Sequence, residues 1–348
     1  ANAYAISGYK IEQSTDGFTD SANTTVEVAN TASTALVHTV DDLEPKTEYH
    51  YRIYAINALG IGDASTAVNE TTFAVPEPID DLAGSVSGNN IVLTWTAPDD
   101  NGAAISKYIF QVQSVATGSW ITLDNNVQGL TATHVGINSA IPNTEISYRV
   151  YAANAIGQSD ASNIAGVWTL PSTPSGVAAV AASGTEITVS WTSIAGTTYK
   201  LEHSTDGTTF TTESDPATTP YTDSGLAEGS IHYYRVLAVN PSGTSPPSAT
   251  ASATTFDNPT QPLNLILTPT ITDLLEITLT WSAPADDGGT PITNYVIHRS
   301  TDSGFLTFDI LQAQGGTETT RSYVDGTLVV STTYYYRVQA ENSVDVSD

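Results

Sequence analysis

The chain has 348 residues, with 37 acidic and 10 basic side chains and a formal net charge of −27. Such a field repels nucleic acid and anionic membrane surfaces and attracts metal cations and basic partners. There is no cysteine, which excludes a disulfide framework, a thiolate metal site and a cysteine nucleophile.

From the N-terminus the sequence reads as short alternating segments separated by turns. YKIEQSTDG (9–17) alternates apolar and polar residues into a turn, and YHYRIYAIN (49–57) does the same ahead of the joint VPEP (75–78). IVLTWTAP (91–98), the turn DDNG (99–102), YIFQVQSVATG (108–118) and ISYRVYAAN (146–154) follow, up to LPSTP (170–174). Then come ITVSWTS (187–193), YKLEHSTDG (199–207), HYYRVLAVN (232–240) and the joint NPTQP (258–262). ITLTWSAP (277–284), the turn DDGG (286–289), YVIHRSTDSG (295–304) and YYYRVQAEN (334–342) complete the series. In each phrase the period is two, as in Ile91, Leu93 and Trp95 against Val92, Thr94 and Thr96, so each is predicted to be a strand.

The phrases are copies of one another. The YR[IV] arginines are Arg52, Arg149, Arg235 and Arg337, spaced by 97, 86 and 102 residues. Several short strands per unit of that size, with no helical period, predict two-sheet antiparallel sandwiches. A Pro-rich start, an I-x-[LV]-x-W strand, a Tyr-led strand and a Y-R-[IV]-x-A-x-N strand together resemble the fibronectin type III family over essentially the whole chain.

The resemblance implies an all-β fold of tandem fibronectin type III-like sandwiches forming an elongated rod, with strand order A-B-C-C′-E-F-G. It puts Trp95, Trp191 and Trp281 on strand B, the Tyr-led phrase on C and the arginine phrase on F. Copies are expected at 1–75, 76–170, 171–257 and 258–348, the first without A and B and the last without G. That pattern reads as a window on a longer array.

Within strand F, Tyr49 and Tyr334 stand where a corner tyrosine bonds back to the entering chain, and His232 stands there in copy three. Tyr334, Tyr336, Val338 and Ala340 should face inward, leaving Tyr335 and Arg337 outside. Glu12 and Glu202 on strand C are expected to pair with Arg52 and Arg235, and Tyr54 and Tyr151 to lie beside the arginines.

The six histidines show no metal-binding spacing, no G-x-S-x-G elbow is present, and the segment is expected not to be an enzyme. Calcium is the one cofactor kept open: Asp80, Asp81, Asp99, Asp100, Asp286 and Asp287 offer hard oxygens in turns and near joints. Asn23 and Asn69 open N-x-T glycosylation patterns, and Trp120, Tyr233 and Tyr335 are expected to be exposed aromatics, candidate contacts for sugars or proteins.

The reading that follows is a structural segment of a larger extracellular or cell-surface repeat protein, such as a filament, surface layer or stalk. The turn and strand style suggests a marine archaeal or bacterial source. Its partners would be other copies of itself, surface proteins or glycans, with no nucleic acid and no membrane insertion in this segment. The alternative is an adhesin or carbohydrate-binding spacer beside a domain outside this window.

Overall fold

The alternating phrases form antiparallel strands in the computed structural model, which describes residues 4–19, 26–30, 34–215, 218–271, 275–311 and 320–348. The chain divides into two compact units, Ala1–Thr169 and Leu170–Asp348. Among the described residues the α-helix content is a single turn, Ile137–Ala140.

Copy two, in the first unit, shows the plan. Its strands are A (Ala83–Ser87), B (Asn90–Thr94), C (Lys107–Gln113), C′ (Trp120–Val127), E (Thr131–His134), F (Glu145–Ala153) and G (Ala165–Trp168). A, B and E make one sheet in the order E-B-A, and the other runs G-F-C-C′. The inward rows meet between them: Ile91, Leu93 and Trp95 pack against Tyr108, Phe110 and Val112 and against Ile146, Tyr148 and Val150. Burying one such apolar side chain is worth about 1.5–3 kcal/mol. The Trp95 and Tyr108 rings meet edge to face at 5.3 Å, and Trp191–Tyr199 and Trp281–Tyr295 repeat the pair at 5.1 and 5.5 Å. Strand B is thus keyed to strand C by the same aromatic contact in three copies.

Copy one contributes C (Ile6–Ser14), C′ (Val26–Asn30), F (Glu48–Asn57) and a G strand in two pieces, Gly60–Ala64 and Val68–Thr71. No A, B or E strand occurs among its described residues. The inner face is correspondingly open. Ile53 is 45 % exposed, where its counterparts Val150 and Val236 are 0 % exposed.

In the second unit, copy three has A (Ala178–Ala181), B (Glu186–Ser190), C (Thr198–Ser204), C′ (Thr211–Ser214), E (Tyr221–Ser224), F (Ile231–Asn240) and G (Ala251–Thr254). Copy four has A (Leu263–Ile271), B (Leu275–Ser282), C (Asn294–Ser300), C′ (Asp309–Leu311), E (Thr320–Asp325) and F (Tyr335–Glu341). Beyond F, its described residues add one isolated bridge, Glu341 to Val346. The tyrosine run of copy four divides as its alternation predicts: Tyr336, Val338 and Ala340 are buried and Tyr335 is exposed. The Tyr334 hydroxyl accepts from Val329 N at 3.1 Å and the Tyr49 hydroxyl from Glu44 N at 2.9 Å, so both are corner tyrosines.

Candidate functional site

Each unit contains one joint between consecutive copies, and the two joints are built alike. In the first unit, Ala74 N donates to Asn101 O at 3.2 Å and Glu77 N to Asp99 O at 2.9 Å, laying the Pro-rich segment along the B–C turn. The second unit repeats the seam, with Asp257 N donating to Gly288 O at 2.9 Å and Thr260 N to Asp286 O at 3.0 Å. The last residue of the strand F phrase clamps the seam from the other side. Asn154 Nδ2 donates to Ala74 O at 2.7 Å and to Asp100 O at 3.2 Å, and Asn342 Nδ2 donates to Asp257 O at 2.7 Å and to Asp287 O at 2.8 Å.

Both asparagines are buried, so their amides must find partners there. Each amide spends one donor on the preceding copy and the other on the B–C turn of its own copy, tying the two together. Gly288 is required by the seam: its φ is +73°, and a Cβ on it would lie 2.0 Å from Asp257 O. That asparagine stands at the end of every arginine phrase in the sequence, and its role was missed because one of its two partners comes from the preceding copy. The signal available was the pairing of that asparagine with the twice-used TTF (71–73 and 254–256) just upstream of the joints.

The aspartates considered for calcium shape this same turn. Asp99 Oδ1 accepts from Asn101 N at 2.8 Å, Asp100 Oδ1 from Gly102 N at 2.9 Å, Asp286 Oδ1 from Gly288 N at 2.9 Å and Asp287 Oδ1 from Gly289 N at 3.0 Å. These caps aim the carbonyls of 99, 100, 286 and 287 at the joint. Asp81 accepts from Thr96 N at 3.0 Å and Thr96 Oγ1 at 2.7 Å, bonds that hold its carboxyl below its ordinary pKa, and Asp80 is exposed. Among the described residues no group of three or more His, Asp or Glu side chains is arranged to hold a metal.

The four strand F arginines share a second arrangement on the outer face. Each pairs with a strand C side chain: Arg52 with Glu12 at 2.8 Å, Arg149 with Gln111 at 2.8 Å, Arg235 with Glu202 at 2.5 Å and Arg337 with His298 at 2.8 Å. Tyr54 and Tyr151 lie 5.7 and 5.2 Å from Arg52 and Arg149. A closer ring comes from the C–C′ side, namely Phe18 at 4.1 Å, Trp120 at 4.2 Å, Phe210 at 4.2 Å and Phe305 at 5.0 Å. Each guanidinium is therefore held between an acceptor and an aromatic face. In copy one the burial of Glu12 opposes its charge, but bonds from Lys10, Tyr54 and Arg52 outweigh this and bring its pKa down to about 2.

Among the proposed aromatic contacts, Trp120 is half-buried beneath Arg149, Tyr233 is half-buried against Gly207, and Tyr335 is 39 % exposed. Asn69 is exposed on strand G, its amide donating to Glu48, while Asn23 lies outside the described residues.

At one end of each complete core a buried tyrosine of strand F meets a polar residue of strand E. Tyr148 Oη lies 3.0 Å from His134 Nδ1, Tyr234 donates to Asp223 at 2.7 Å and Tyr336 to Asp325 at 2.8 Å. Burial, reinforced in the last two by the carboxylate, pushes all three phenols above their ordinary pKa.

Sheet order and strand sequence define a chain of tandem antiparallel β-sandwiches whose repeated contacts are structural. The Fibronectin type III domain model matches residues 2–71, 77–167 and 260–348, and the chain belongs to that family. Copy three, which lies outside those matches, has the same two sheets in the same strand order.

Fibronectin type-III domain-containing protein 3A of Mus musculus is 27 % identical over 86 % of this chain and 26 % of its own length. Netrin receptor DCC of Homo sapiens is 28 % identical over 71 % of this chain and 18 % of its own. Exoglucanase B of Cellulomonas fimi is 27 % identical over 87 % of this chain and 28 % of its own. The chain thus spans about a quarter or less of these relatives. Two are animal proteins and one is bacterial, which gives no support to the marine microbial source suggested by sequence style. The crystal structure of chicken CNTN1 FN1-FN3 domains covers 79 % of this chain and 96 % of that one, at 20 % identity and a TM-score of 0.29. A superposition that loose carries no argument.

No helix of the described residues is long and apolar enough to cross a membrane.

Proposed function

We propose that this chain is a non-enzymatic structural segment of a longer extracellular or cell-surface protein. Its four copies, at 1–75, 76–170, 171–257 and 258–348, act as spacers that hold what they carry in register. The observation that carries this reading is the duplicated joint. A flexible linker needs no buried donors, whereas Asn154 and Asn342 each bridge the preceding copy and the B–C turn of their own copy with one buried amide. Relative motion of neighbouring domains is the default, and a direct hydrogen-bonded seam restricts it, as a spacer requires. One relative, Netrin receptor DCC, is by its name a receptor.

The test uses paired spin labels in the full chain, which has no native cysteine. Labels at Thr212→Cys and Thr301→Cys, both exposed positions, report the separation of copies three and four. A narrow distance distribution that broadens in Asn342→Ala is expected. A distribution already broad with Asn342 in place overturns the spacer reading.

A further inference from the structure

Copy three contains a line of polar side chains with no counterpart among the described residues of the other copies. His203, on strand C, and His232, on strand F, are 29 residues apart in sequence, and their Nε2 and Nδ1 atoms lie 2.7 Å apart. The ring centroids are 5.0 Å apart and the planes 27° from parallel. With so short an N···N contact, that centroid distance is close to two ring radii plus one hydrogen bond. The imidazoles therefore meet edge to edge, in the geometry of a true N–H···N bond. His232 Nε2 lies 2.7 Å from Ser230 Oγ, and His203 Nδ1 lies 3.8 Å from Glu213 Oε2 on C′.

The donors in this line follow from its far end. The Ser230 hydroxyl donates to Ala227 O, so Ser230 Oγ accepts from His232 Nε2–H. His232 Nδ1 is then an acceptor and takes the Nε2–H of His203. His203 Nδ1 is left as a bare lone pair facing the Glu213 carboxylate. A proton arriving there extends the line without breaking it and completes an ion pair. A second proton has only His232 Nδ1 to occupy, which puts hydrogens on both nitrogens of the His–His contact.

We propose that Ser230, His232, His203 and Glu213 form a directed proton-binding chain that accepts one proton at His203 Nδ1 intact and loses its His203–His232 bond when a second reaches His232. The charged and titratable groups around it are Glu213 on C′, Asp223 and Tyr221 on E, and Tyr234 beside His232 on F. Tyr234 stands 5.2 Å from the His203 ring and is bonded to Asp223. Burial first, and the neighbouring His203 second, lower the proton affinity of His232, while Asp223 opposes them.

The experiment is nitrogen-detected NMR of the imidazoles in the full chain between pH 8 and 4.5. The expected result is the Nε2–H tautomer for both rings at pH 8, followed by protonation of His203 before His232. Glu213→Gln should weaken proton uptake at His203 several-fold and leave the His232 tautomer unchanged. Ser230→Ala should release His232 into a mixture of tautomers. An Nδ1–H tautomer at either ring at pH 8, protonation of His232 first, or an unchanged His203 titration in Glu213→Gln would each overturn the proposal.

Discussion

At the polar end of its core, copy four sets Arg299 where copy three has His203, and Tyr334 where copy three has His232; the strand registers Arg299–Tyr336 and His203–Tyr234 are the same. Both sandwiches also bury an aspartate on strand E, Asp325 and Asp223. In copy four the buried carboxylate has a permanent cation. Arg299 donates to Asp325 at 3.0 Å, to Asp309 at 2.7 Å and to Thr327 Oγ1 at 2.7 Å. Burial works against the guanidinium's charge, but the bonds to Asp309 and Asp325 outweigh it and raise its pKa above the ordinary value. In copy three two imidazoles occupy the same region, and their charge follows pH. One backbone plan thus accepts either a fixed ion pair or a titratable chain at a single pair of positions.

The strongest way to break the comparison is to remove the fixed charge. Arg299→Ala leaves Asp325, whose side chain is 1 % exposed, without its cation. Deleting one partner of a buried pair typically costs about 3–5 kcal/mol. Hydrogen exchange read peptide by peptide in the full chain should show strands C, E and F of copy four losing protection by that amount. Copy two, in the other unit, should be unchanged. If copy four lost less than about 1 kcal/mol, the hydrogen bonds that Tyr336 and Thr327 donate to Asp325 would suffice without the cation, and the contrast with copy three would collapse.

A smaller effect is expected at the joint. Asn342→Ala strands Asp257 O and Asp287 O without their shared donor, a loss of about 1–3 kcal/mol in local protection. Gly288→Ala should do comparable damage, through both its positive φ and the 2.0 Å approach to Asp257 O. Gly225→Ala isolates the φ contribution, since Gly225 has a φ of +78° with nothing within 4 Å of its would-be Cβ. Equal losses at the two glycines would mean that the seam contributes nothing.

Acid acts on copy three through His232. The His232 proton affinity in the folded chain is below its unfolded value. The unfolded chain therefore binds more protons as pH falls below about 6.5, and stability present above that pH is lost below it. His232→Tyr installs the residue that copy four carries at Tyr334. Exchange in strands C and F of copy three, compared at pH 7.5 and 5, should then depend less on pH than in the native chain. A native copy three equally protected at both pH values would contradict the linkage.

The strands and the division of the tyrosines were legible from sequence because period two acts locally and four sibling phrases average out accidents. Tyr335 could be placed outside, and Tyr336 inside, from alternation alone. The Arg52–Glu12 and Arg235–Glu202 pairs were equally readable, since C and F adjacency follows from the family's layout. The joint and the histidine chain were not. Asn342 and Asp257 are 85 residues apart, and the meeting of His203 with His232 depends on the rotamers of two rings. Nothing in a strand's own period announces either contact. The aromatic partners of the arginines were also missed, because Phe18, Phe210 and Phe305 sit in turns whose path over the sheet is set by the C–C′ connection.

The smallest effect concerns those stacks. Arg235 is paired with Glu202 and covered by Phe210 at 4.2 Å, with about a third of its side chain still in water. Screening at such a site limits the ion pair to about 0.2–1 kcal/mol, and a cation–π contact of similar exposure adds about 0.5–1 kcal/mol. Phe210→Ala and Glu202→Gln should therefore each cost copy three about 0.5–1 kcal/mol. The two losses should fall short of additivity in the double variant, because both neighbours orient one guanidinium. Arg235→Lys discriminates between charge and shape: an ammonium keeps the charge near Glu202 but has no flat face to lay on the ring. Loss of stability in the lysine variant equal to that of Phe210→Ala would show that the stack, rather than the ion pair, is what the recurring arginine provides. Full retention would assign the effect to charge alone.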